Sequence, residues 1–275
     1  MEEQNNSQPV VTEEEPQGTP PQHVDLAAGV FTEPRSVFDT LVKFPLRTSD
    51  WLIPLAVIIL LSIASSYILF TNPVIVMEVR DKQMKQTEKT LDEMVKSGQL
   101  TESQKEEQMD AASERIKAIG TPNATLFQSL MILIFGSVIY FLIAAVYFGI
   151  ARFFFAAEGE YRGVLVASSL SSYISAVSII LIAIASMLLD RTFTDLSVAT
   201  LAGMDRQTWA GFIASRLDIF TIASYFVFAV GLSRVMFQKE KEKTYLIMVF
   251  SLWLGFTTVW FLLTSYVPFF RMFAQ

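Results

Sequence analysis

Apolar and polar positions alternate along this chain on a long scale, with five apolar stretches separated by charged or turn-rich segments. Four stretches are uncharged, at residues 51–70, 126–148, 164–189 and 245–267; a less uniform one covers 217–237, with Asp218 and Arg234 near its ends. A helix rises about 1.5 Å per residue and a bilayer's hydrocarbon core is roughly 30 Å thick, so about 20 apolar residues cross it. The pattern predicts an all-α, polytopic membrane helix bundle with five transmembrane helices.

Shorter periodicities fill in the segments between. Ahead of the first span, residues 31–44 read as one interfacial helix, with Pro34 in its first turn, Val37, Phe38, Leu41 and Val42 along one side, and Pro45 at its end. Ser49 or Asp50 suits a cap for the first span, and Trp51 suits the headgroup zone. The stretch at 74–120 is strongly charged. Asn72 and Pro73 form a cap and first-turn pair, and Met77, Met84 and Leu91 recur at seven-residue spacing. Gly98 breaks the run, Thr101 with Gln104 matches a capping box, and Met109, Ala112, Ile116 and Ile119 carry a second stripe. These signals predict an extramembrane helical hairpin, roughly 30 Å long, with its two stripes packed on each other. Residues 190–215 are more apolar than a solvent loop should be. A straight helix from a cap at Asp205 to Phe237 would run about 48 Å, longer than a bilayer needs, so a bend is expected near Arg216.

Charge changes this picture only at the start of the chain. The formal net charge is −6, and residues 1–28 hold six Asp and Glu with no Lys or Arg. That segment reads as a disordered acidic tail ahead of a neutral membrane domain at 29–275. The domain has no basic footprint, so nucleic acid is excluded as a partner. The expected partners are the lipid bilayer, proteins docking on the 74–120 hairpin, and further copies of the chain. Arg234, Lys239, Lys241 and Lys243 crowd the short link between spans four and five. Short basic links stay cytoplasmic, which places the N-terminus inside and the hairpin and C-terminus outside.

Candidate chemistry is sparse. There is no cysteine, and the single histidine, His23, lies in the acidic head. Thiolate chemistry, histidine-based catalysis within the membrane and histidine-ligated metal are thereby excluded. No catalytic residue, metal site or cofactor is expected, and the protein reads as a non-enzyme. Four ionisable side chains near membrane depth are the polar positions to follow: Asp218, Arg216, Arg152 and Arg234. Asp218 and Arg216 read as an interfacial structural pair or a functional polar site. Arg152 and Arg234 read as side chains that reach for the headgroups. Ser168, Ser171, Ser172, Ser175 and Ser178 recur along one face of span three, as a helix-packing seam or as a water-lined path. The second reading, joined to Asp218, describes a small oligomeric transporter or channel.

Short motifs in a fixed order add a resemblance. Phe31, Thr32, Glu33, Pro34 and Phe38 precede Trp51 and Pro54; Gly159, Glu160 and Tyr161 follow span two; Leu217, Asp218 and Phe220 lead to Gly231 and Arg234. Over about residues 29–267 this order resembles the Yip domain family of Ypt/Rab-GTPase-interacting membrane proteins, in its bacterial form. The resemblance implies five helical spans, a cytoplasmic N-terminus, structural roles for Asp218 and Gly231, and work in membrane organisation or partner recruitment. Eukaryotic relatives act with Rab-type GTPases. The charged insert and the short acidic head depart from that layout and argue against a Rab-type partner here.

Overall fold

The computed structural model describes residues 19–267 and Phe270, and every regular element among them is helical. The chain opens with two short helices rather than one. Helix α1 (His23–Thr32) and α2 (Pro34–Leu41) meet at Glu33, whose φ of −139° is far from helical. Pro34 explains the break, because it lacks an N–H and disfavours a helical residue before it. Helix α1 also starts inside the segment that composition assigns to a disordered tail. Leu26 and Val30 of that helix are fully buried, and His23 Nε2 lies 2.6 Å from the Tyr173 hydroxyl. The short apolar run Leu26, Ala27, Ala28 and Val30 supplies the burial that the acidic stretch before it lacks; residues 1–18 of the expected tail lie outside the described residues.

Among the described residues four helices are long and apolar enough to cross a membrane. They are α3 (Ser49–Phe70), α6 (Pro122–Phe154), α7 (Tyr161–Leu189) and α11 (Glu242–Tyr266), the last preceded by a 3-10 turn at Lys239–Lys241. After a single turn at α8 (Val198–Leu201), α9 (Trp209–Arg216) and α10 (Ile219–Val235) meet at 56° and, taken together, are long and apolar enough for a fifth, broken span. The bend falls where helix length demands it. Leu217 and Asp218 leave helical geometry, and the Asp218 side chain caps α10. By itself α10 covers roughly 26 Å.

Helix α7 is the centre of the bundle, packed most extensively on α3 and α10 and touched also by α6 and α1. Val164, Val166, Leu170, Val230 and Leu232 are completely buried in that contact. The outward faces of α6 and α11 carry exposed Leu126, Phe127, Phe135 and Phe256. In water such faces would demand a partner; in a bilayer hydrocarbon covers them.

The hairpin forms from α4 (Pro73–Lys96) and α5 (Glu102–Lys117). Both expected caps are present: Asn72 accepts from the Val74 amide, and Thr101 and Gln104 exchange the two bonds of a capping box. Leu91 and Ile116 are buried, yet Met77 is 63% exposed and falls outside the stripe assigned to it. The base of the hairpin decides this. Ile75 and Val76 turn inward there, with Val76 against Gly120, which leaves the next side chain facing out. Arg80 closes the base by donating to the Ile119 carbonyl at 2.6 Å. Along its length α4 is tied down to the segment after α7: Asn72 donates to Asp190, the Thr192 amide donates to Glu78 at 2.6 Å, Lys82 donates to the Thr192 hydroxyl, and Lys89 donates to Gln207.

Candidate functional site

Helix α10 carries its chemistry at its two ends. At the C-terminal end Arg234 is 4% exposed and therefore buried, not reaching for headgroups as its position near a span end suggests. Its Nη1 lies 2.6 Å from Glu242 Oε2, at the start of α11, and its Nε lies 3.4 Å from Asp39 Oδ1 of α2. The first contact is a full ion pair. The second is close enough for attraction but makes no hydrogen bond. Arg35 donates to Glu242 at 2.7 Å and Lys239 pairs with Asp39 at 2.6 Å. Three cations and two carboxylates thus interlock α2, α10 and α11, with one positive charge in surplus.

Close backbone approaches surround this cluster. A Cβ on Gly231 would sit 2.5 Å from Phe38 Cζ, so the ring of α2 packs directly on the α10 backbone. A Cβ on Gly159 would meet the Val235 carbonyl at 2.3 Å, so the turn after α6 is pressed onto the end of α10 in the same way. Gln238 joins the two sides, donating to the Phe155 carbonyl at 2.8 Å and accepting from the Tyr245 hydroxyl at 2.9 Å. Arg152 stays outside the cluster; exposed at the end of α6, it donates to the Ala157 carbonyl at 2.7 Å and holds the turn shut.

At the other end Asp218 is 3% exposed and engaged with backbone alone. One carboxylate oxygen accepts from the Phe220 and Thr221 amides, and the other accepts from the Leu196 amide at 3.2 Å. It caps α10 and pins the loop before α8. Arg216, two residues away, turns elsewhere and stacks over the Phe212 ring at 4.9 Å. Between the two ends runs the serine face of α7. Ser175 donates to Ser224 of α10 at 3.3 Å, and Ser224 donates to the Ser171 carbonyl at 3.1 Å. Ser171 and Ser172 bond back to the carbonyls of Ser168 and Ser169. Ser224 thus links the serine face to α10, while the Ser171 and Ser172 hydroxyls are satisfied within α7.

The four ionisable positions therefore do not converge. Asp218 and Arg234 stand roughly 24 Å apart along α10, and Arg152 and Arg216 lie near opposite ends of the same bundle. The partners Arg35, Asp39 and Glu242 were not singled out by sequence, although Arg35 and Asp39 share one helix face at a four-residue spacing. A sequence profile for the Yip1 domain matches residues 28–263. The chain belongs to the Yip1 domain family. The match runs from within α1 to the last turn of α11 and includes the hairpin, Asp218, Gly231 and Arg234. Searches of curated proteins and of solved structures return no significant match.

Proposed function

We propose that this Yip1 domain protein works without chemistry of its own, organising the bilayer or recruiting protein partners, with the α4–α5 hairpin as its contact surface. The observation that carries the reading is the way the hairpin is mounted. One side is fastened to the bundle through Glu78, Lys82 and Lys89, while α5 turns a charged face with Glu106 and Glu107 to solvent. A rigid mount lowers the entropy that a docking partner must quench. The ion cluster at the other end supports the same reading, since its charges are taken up in tying α2, α10 and α11 together. The basic link at 234–243 supports a cytoplasmic N-terminus and an outward hairpin, in a bacterial inner membrane as the resemblance to the family's bacterial form implies.

Photo-crosslinking in native membrane tests the proposal. A photoreactive residue at Glu106 or Glu107 is expected to give discrete protein adducts, and one at the outward-facing Ile184 none beyond lipid. Deletion of residues 76–119, in protein that still elutes as a single species, should remove those partners. An unchanged partner set after deletion would rule the hairpin out.

A further inference from the structure

On the hairpin side of the bundle lies a cleft of 420 Å³, between the middle of α4, the α8–α9 segment and the last turns of α11. Its volume falls in the range of small-ligand sites. The rim is charged, with Lys89 and Glu93 from α4 and Arg206 and Arg216 below them. The opposite wall is aromatic: Phe212 stacks on Phe261 at 4.4 Å, and Trp260 and Phe256 continue the wall along α11.

Three of the four rim charges are already engaged. Arg206 pairs with Asp195 and bonds the Thr200 hydroxyl, Lys89 donates to Gln207, and Glu93 has an interaction of its own. Arg216 differs. Its Nε is buried without a hydrogen-bond partner among the described residues, and Asp218 beside it is committed to backbone amides. A buried donor on a charged group left unmet is costly, so a guanidinium held this way is poised for an anion from outside the fold. The cleft and Asp195 behind it hold three cations against two carboxylates, again one positive charge in surplus. Phe256, at the apolar end, is 71% exposed on the outward face of α11, so the aromatic wall opens sideways into the bilayer.

We propose that this cleft binds an anionic phospholipid of the hairpin-side leaflet, with Arg216 taking a phosphate oxygen and an acyl chain lying along Phe256, Trp260 and Phe261. Charge complementarity selects the head and the lateral opening selects a membrane lipid over a soluble anion. The site is distinct from the hairpin's solvent face and stands whichever side of the membrane is cytoplasmic.

The full chain in nanodiscs of phosphatidylcholine doped with phosphatidylglycerol provides the test, with retained lipids counted by native mass spectrometry. The wild type is expected to retain phosphatidylglycerol in preference to phosphatidylcholine. Arg216→Gln should lower that preference about tenfold, the scale of one charge-assisted hydrogen bond. Arg152→Gln, at the opposite end, should leave it intact. Phe256→Glu puts a carboxylate in the path of the chain without touching Arg216; it should also abolish the preference, and it decides the matter if Arg216→Gln does not fold. A wild type with no headgroup preference, or a preference undiminished in a folded variant, overturns the proposal. So does displacement of the lipid by inorganic phosphate at equal concentration, which would assign the site to a soluble anion.

Discussion

Arg234 owes its buried position to two carboxylates from other helices, Glu242 and Asp39, and this asymmetry predicts how it responds to mutation. Removing one partner of a buried pair leaves a charge stranded in low dielectric, whereas replacing the charge itself with an apolar side chain does not. Glu242→Gln is therefore expected to destabilise the protein by about 3 kcal/mol, and Arg234→Met by no more than about 1 kcal/mol, in denaturant titrations in bicelles. In Arg234→Met the two carboxylates keep Arg35 and Lys239. Equal losses in the two variants would mean that the arginine contributes packing rather than charge. The sequence marked Arg234 as ionisable at a span end but could not show it buried, because its acidic partners come from α2 and α11, far along the chain.

Among the elements, α4 depends on a carboxylate for its attachment. Burial pushes Glu78 up, but hydrogen bonds from Lys82 and the Thr192 amide outweigh it and hold the carboxyl below its ordinary value of 4.5. A folded-state value lowered in this way contributes stability above the unfolded value, and that contribution is lost as pH falls through the folded one. Hydrogen exchange at the Thr192 amide should therefore be slow at neutral pH and speed up as pH drops below 4.5, after correction for intrinsic rates. Glu78→Gln should remove that pH dependence. The hairpin itself was legible in the sequence because Asn72, Thr101, Gln104 and Gly98 are local signals. Its docking was not, since Glu78 and Thr192 meet only once α7 has carried the chain back across the bundle. The same distinction explains α1, whose few apolar residues become a helix because α7 is there to cover them.

For the molecule as a whole, four spans and the bent pair that makes the fifth candidate were legible because lipid imposes length and hydrophobicity on each one independently. The proposed orientation rests on the basic link at 234–243, and the absence of cysteine lets single substitutions report on it against a silent background. In intact cells a membrane-impermeant thiol reagent is expected to modify Ser97→Cys at the hairpin tip and to spare Glu240→Cys, which should react only after permeabilisation. The reverse pattern would invert the topology. The central place of α7, with α3 and α10 on its flanks, was not visible in its own pattern, whose row of small residues marks a face without naming the helices that meet it. Small residues such as Gly163, Ser171 and Ala176 let its neighbours come close.

The bend between α9 and α10 leaves a helix of roughly 26 Å at one flank of the protein, where Ile219 and Ile222 face outward. That is a few ångströms less than an average hydrocarbon core, so protein and membrane must adjust to each other along this one edge. Thinner, shorter-chained bilayers meet it with less deformation than thick sterol-rich ones. Hydrophobic mismatch thus gives the protein a built-in preference for membrane thickness, localised to a single side of its circumference.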